Sequence, residues 1–107
     1  MTDSSKPAPP LDGVVVLDFT RVLAGPWAAL SLADLGARVI KIEHPKGGDD
    51  TRRYDVFPGG KGEAAYFLSV NRNKESLALD IADDAGKAVV RRLVEKADIL
   101  IENFRRR

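Results

Sequence analysis

The sequence predicts an α/β fold, an open and mostly parallel sheet with helices flanking it. Three observations carry that prediction. Val14-Val15-Val16-Leu17 is a continuous apolar run, as expected of a strand buried on both faces. A Gly25-Pro26 turn leads from it into an apolar helical stretch that closes at Gly36, a position where glycine adopts a left-handed backbone cheaply. Strand-like and helix-like stretches then alternate along the chain, the order that builds parallel sheets through right-handed crossovers.

The elements follow in order. The first strand is Val14–Leu17. The first helix runs from Pro26 to Leu35, with Pro26 at the first helical position, where its missing N–H costs nothing. Ala37 to Ile42 is β-branched and partly alternating, a second strand. Residues His44 to Gly62 hold two prolines and five glycines and read as a long, functional or mobile loop in which Asp49 and Asp50 sit. A short helix is expected through Glu63–Leu68, ending near Asn71, and a third strand over Ser76–Ile81. Asp83 and Asp84 can cap the next helix, whose apolar face is Ala85, Val89, Val90, Leu93, Val94 and Ala97. Asp98 to Glu102 is the last strand.

Composition narrows the function classes. The 107 residues make one domain, and 17 basic against 16 acidic side chains leave a formal net charge of +1. That balance argues against nucleic acid or an anionic membrane surface as an obligatory partner. With no cysteine, disulfides, thiolate metal sites and thiol catalysis are excluded. No apolar run reaches the length of a bilayer span. Residues 1–10, with two serines, Lys6 and three prolines, lack the apolar core of a signal peptide and read as a flexible N-terminal arm. The expectation is a cytoplasmic protein.

In an open parallel sheet, ligands bind beyond the carboxyl ends of the strands, near the point where strand order reverses. Thr20–Gly25, Glu43–Asp55, Asp80–Asp83 and Glu102–Arg105 should meet there, bringing Arg21, His44, Lys46, Arg52, Arg53 and Arg105 to a phosphorylated ligand. The first turn carries one glycine and a proline where a dinucleotide fingerprint carries three glycines, so the loop is not a standard NAD site. Gly25 is expected to permit close approach to the turn. Glu43 reads as a strand-end acid that pairs with a nearby base. Asn71-Arg72-Asn73-Lys74 reads as a structural turn, with a basic pair also available to an anion. No carboxylate pair is spaced for acid–base catalysis and no metal-ligand cluster is visible.

Taken in order, several blocks together resemble the N-terminal portion of the class III CoA-transferases, the CaiB/BaiF family. They are Leu11-Asp12-Gly13, Val16 to Thr20, Ala24-Gly25-Pro26, Leu32 to Ala37 and Val39 to Pro45, then Gly48 to Arg52, Ala65-Tyr66-Phe67, Asn71 to Lys74, Leu77 to Asp80 and Ala97 to Phe104. The resemblance implies a Rossmann-like CoA-binding segment over residues 11–107, truncated at its C-terminal end. It implies an enzyme that moves CoA between an acyl-CoA and a carboxylic acid through covalent intermediates on an aspartate. That aspartate would lie beyond Arg107, so the 107 residues alone should be inactive. CoA would be met by Leu23, Ala24, His44, Leu79, Asp80, Ile81, Ala82, Asn103, Phe104 and Arg105 as a substrate, with no tightly bound cofactor and no metal. At His44 the family commonly has arginine, and after the Asn-Phe-Arg block a proline-glycine pair. The resemblance further implies an interlocked homodimer. Two other readings stay open: a segment of the α-methylacyl-CoA racemase branch, and a truncated nucleotide-binding module without catalysis.

Overall fold

A computed structural model describes residues 6–56, 58 and 64–106. Four strands, β1 (Val15–Asp18), β2 (Arg38–Glu43), β3 (Lys74–Ala78) and β4 (Ile99–Ile101), form one sheet in the order β3-β2-β1-β4. Every pairing is parallel: Val16 lies beside Val39 and Ile99, and Val39 beside Lys74. The chain winds outward from β1 through β2 to β3, then returns to the far side of β1 as β4. Strand order therefore reverses between β1 and β4.

Alternation along the central strands divides the core in two. Val16 and Val39 pack with Ala29, Ala33 and Ala37 under α1 (Ala24–Asp34). Leu17, Phe19, Ile40 and Ile42 face the other way, against Val90, Leu93 and Ala97 from α3 (Asp84–Val94) and the turn after it. The remaining helix, α2 (Ala65–Asn71), packs on α1. Small alanines on α1 let the helix lie close to the sheet, and β-branched residues fill the central strands. The expected alternation of strands and helices is present, with helices on both faces.

Several boundaries differ from the sequence expectation. Pro26 is the third residue of α1, not the first, and is still within the turn whose N–H groups have no intrahelical partner. The third strand lies two to three residues earlier than expected, at 74–78, because Lys74 is drawn into the sheet by a buried carboxylate described below. Asp80–Ala82, expected partly as strand, is a turn in which the Asp80 carboxylate accepts the Ala82 N–H at 3.0 Å. Asp83 is the N-terminal flanking residue of α3, but its side chain makes no capping bond. Gly36 has φ +104 and follows α1 as expected, packed against Pro9. Of the expected arm, residues 1–5 lie outside the described residues, as do Phe57 and 59–63 of the long loop, which include Glu63 at the expected start of the short helix.

Candidate functional site

The carboxyl ends of β1, β2 and β3 open into a pocket of about 180 Å³. Phe19, Ile42, Leu79, Ile81 and Phe104 give it apolar walls, and Arg21, Lys41, Glu43, His44 and Asp49 supply the polar ones. The Phe104 ring meets Phe19 edge-on at 6.4 Å, which closes one side. A wider cleft of about 770 Å³ adjoins Arg21 and Phe104 and is lined also by Val22, Asp50, Asn103, Arg105 and Arg106. Three arginines thus stand at the edge where strand order reverses.

Beneath this surface, on the α1 face, lies a buried ionic network that sequence reasoning missed. Asp18 at the end of β1 is fully buried; it accepts the Lys74 ammonium at 2.9 Å and the backbone N–H and hydroxyl of Thr20. Lys74 also donates to the Pro26 carbonyl at 3.0 Å and the Asn71 amide oxygen at 2.8 Å. Burial pulls the Lys74 ammonium below the ordinary lysine range, against the opposing pull of Asp18. Lys41 in β2 is equally buried, 2.9 Å from Asp49. Asp49 accepts the Thr51 N–H at 3.0 Å and its hydroxyl at 2.9 Å. Burial favours protonation of the Asp49 carboxyl, but the Thr51 N–H and the Lys41 charge outweigh it and hold its pKa below the usual range. Asp49 and Asp50, expected in a mobile loop, therefore belong to ordered structure: Asp49 caps the short 3₁₀ helix Asp50–Arg53.

Glu43 pairs with a base, as its strand-end position suggested. Its carboxylate takes a bidentate hold on Arg52, at 2.7 Å for each bond, with further bonds from the Asp49 N–H at 2.9 Å and the Ser76 hydroxyl at 2.7 Å. Burial alone would raise its pKa, but these donors and the Arg52 charge bring it down to about 2. The guanidinium in turn stacks 3.8 Å over Phe67 of α2. Arg52 is thereby committed to Glu43, whereas the sequence expectation offered it to a ligand.

The Asn71–Lys74 block is structural throughout. Arg72 and Asn73 bind Asp34 at 2.7 and 3.0 Å, Asn73 has the left-handed φ of 63, and Lys74 is enclosed. Of its basic pair, Lys74 is enclosed away from any anion, and Arg72 is paired with Asp34 at the surface. Gly25 is also reassigned. Its φ is not positive, and a Cβ there would overlap the Thr20 Cβ and Cγ2 and stand 2.8 Å from Oγ1. The close approach it permits is to Thr20.

Of the expected CoA contacts, His44, Leu79, Ile81 and Phe104 line the smaller pocket, and Asn103, Phe104 and Arg105 line the wider cleft. Leu23 and Ala24 form the start of α1 beside them and line neither. Asp80 stands 3.9 Å from the His44 Nε2, while its neighbour Ala82 lines neither pocket. His44 Nδ1 accepts the Lys46 N–H at 3.0 Å, which leaves Nε2 to carry the proton of the neutral ring. Asn103 spends its amide on the Arg21 backbone, accepting its N–H at 3.1 Å and donating to its carbonyl at 2.9 Å. It ties the end of β4 to the β1–α1 loop. Among the described residues, no group of three or more histidines or carboxylates could hold a metal ion.

Comparison with known proteins agrees with this architecture. Residues 11–107 match the sequence pattern of CoA-transferase family III. The succinate–glutarate CoA-transferase of Agrobacterium fabrum is 50% identical over 99% of this chain and 28% of its own length. The succinyl-CoA:glutarate CoA-transferase of Mus musculus is 52% identical over 95% of this chain and 22% of its own. A crystal structure of a CaiB/BaiF family protein from Brucella suis superposes with a TM-score of 0.82 at 48% identity, covering 92% of this chain and 26% of that one. The chain spans about a quarter of the length of these relatives. Sequence pattern, relatives and fold agree, and the chain belongs to CoA-transferase family III.

Proposed function

We propose that this chain supplies the CoA-binding edge of an enzyme that moves CoA between an acyl-CoA and a carboxylic acid. The observation that carries the reading is the pocket at the carboxyl ends of the strands, with the arginine-lined cleft beside it. Apolar walls from Leu79, Ile81 and Phe104 suit the flat base of CoA, and Arg21, Arg105 and Arg106 offer charge to its phosphates. The single-glycine turn favours CoA over NAD. Such an enzyme uses a carboxylate nucleophile to split one hard acyl transfer into two easier steps. In this chain Asp18, Asp34, Asp49 and Asp50 are held in salt bridges, and Asp98 accepts the Val15 N–H at 2.8 Å. The aspartates that line the pocket and the cleft are Asp49 and Asp50, both so held, which supports a nucleophile supplied by further chain. CoA is a substrate in this reading, the working enzyme is an interlocked cytoplasmic homodimer, and the 107 residues alone transfer no CoA.

Calorimetric titration of the purified chain tests the binding half. CoA is expected to compete with ADP and not with NAD, and Phe104→Ala is expected to weaken CoA while Lys96→Ala, on the exposed surface, does not. Preferential binding of NAD refutes the assignment. Transfer assays with acyl-CoA and a carboxylate acceptor test the other half. Turnover by the 107 residues, abolished by replacing one of their own aspartates, would place the nucleophile here instead.

A further inference from the structure

We propose that Asp49 is a positioning residue for the β1–α1 loop: its buried carboxylate, paired with Lys41, holds Val22 in the left-handed turn that sets Arg21 at the pocket and the adjoining cleft. The proposal rests on the CoA-binding reading above.

Val22 has φ 75, a region that sterics make costly for any residue with a Cβ and most of all for a β-branched one. Val22 is 36% exposed and belongs to neither core cluster. Its N–H instead faces both oxygens of Asp49, each at 3.4 Å. Those distances are long for a hydrogen bond, so the attraction depends on the full charge of the carboxylate and on its fixed place. Both are provided locally. Asp49 is buried, its own N–H is held by Glu43 at 2.9 Å, and Lys41 stands 2.9 Å from its Oδ2. The same ammonium donates to the Thr20 carbonyl at 2.9 Å. One ion pair therefore grips the loop at Thr20 and at Val22, on either side of Arg21, which lines both pockets. Strain of this kind persists only where surrounding structure over-determines the backbone.

The competing account is that Asp49 serves only to neutralise Lys41. Two rescues separate the two. Asp49→Asn keeps the shape and removes the charge; Val22→Gly removes the cost of the left-handed turn; Lys41→Met with Asp49→Leu removes the ion pair altogether. The purified protein is followed by urea unfolding, by CoA titration calorimetry, and by the strong intraresidue HN–Hα NOE that a positive φ gives Val22. Asp49→Asn is expected to weaken that NOE and to lower CoA affinity about tenfold, near the population penalty of a left-handed residue with a Cβ. Adding Val22→Gly to Asp49→Asn should restore affinity to within about threefold of Val22→Gly alone, although stability stays low because Lys41 remains unpaired. The proposal is overturned if the Val22 NOE is unchanged by Asp49→Asn. It is equally overturned if Val22→Gly restores no affinity while the Lys41→Met, Asp49→Leu pair restores it fully. Should the unmodified protein bind no CoA, the functional reading fails, and the NOE comparison still decides whether Asp49 holds Val22.

Discussion

Replacing Gly25 by alanine tests why this turn carries a glycine. The new Cβ would overlap the Thr20 Cβ and Cγ2. Thr20 is fully buried, and its N–H and hydroxyl are both held by Asp18, so it has no free rotamer into which to retreat. Forcing a methyl into so tight a contact costs roughly 1–3 kcal/mol and sometimes more, and the rigidity of Thr20 points to about 3 kcal/mol here. Gly13 provides the comparison: its φ is +86, but a Cβ would meet nothing within 4 Å. Gly13→Ala should therefore cost only the backbone term, about 1 kcal/mol. For a domain of this size the difference corresponds to a melting temperature roughly 8–16 °C lower for Gly25→Ala than for Gly13→Ala. Urea unfolding followed by far-UV circular dichroism measures both. Thr20→Ala should rescue Gly25→Ala little, because the offending Cβ remains, whereas Thr20→Gly should show favourable coupling of about 1 kcal/mol or more. Equal losses at Gly13 and Gly25, or full rescue by Thr20→Ala, would refute the packing argument.

Other consequences of the buried network are as direct. Lys74→Met leaves Asp18 enclosed without its cation and should cost about 3–5 kcal/mol; adding Asp18→Asn should recover more than half of that in the same unfolding assay. Glu43 is a carboxylate with a depressed pKa, so its contribution is full above its ordinary value of 4.5 and is lost as pH falls toward about 2. That contribution is on the order of 3 kcal/mol, and Glu43→Gln should flatten the stability–pH curve between those two values; an unchanged acid limb would show that Glu43 is not the group titrating. Gly86→Ala should destabilise through backbone contact, since its Cβ would overlap the Asp80 carbonyl oxygen and lie 2.8 Å from the carbonyl carbon; a melting temperature within about 3 °C of the unmodified protein would count against that packing.

Local pattern along the chain was enough to place the sheet. The continuous apolar run in β1 requires burial on both faces, the β-branched, partly alternating stretch of β2 reads as a strand, and the apolar stripe of α3 requires a sheet to lie on. Those are periodic signals that survive without any knowledge of what packs where. Gly36 was legible for a similar reason, since glycine just past the end of an apolar helical stretch is a local stop signal. The ligand edge followed from topology, because parallel strands place their carboxyl ends together. Tertiary structure decided which polar groups face ligand and which face one another. Lys41 and Lys74 occupy strand positions where a charge ordinarily reads as solvated, and only the register that sets Val39 beside Lys74 turns them inward to Asp49 and Asp18. Gly25 and Gly86 lack side chains because of residues packed across a turn, Thr20 and Asp80, not because of a backbone angle that local sequence announces. A carboxylate and an ammonium many residues apart carry no shared periodicity. Their pairing is fixed when strands come into register, because a buried charge without its partner would be too costly to keep.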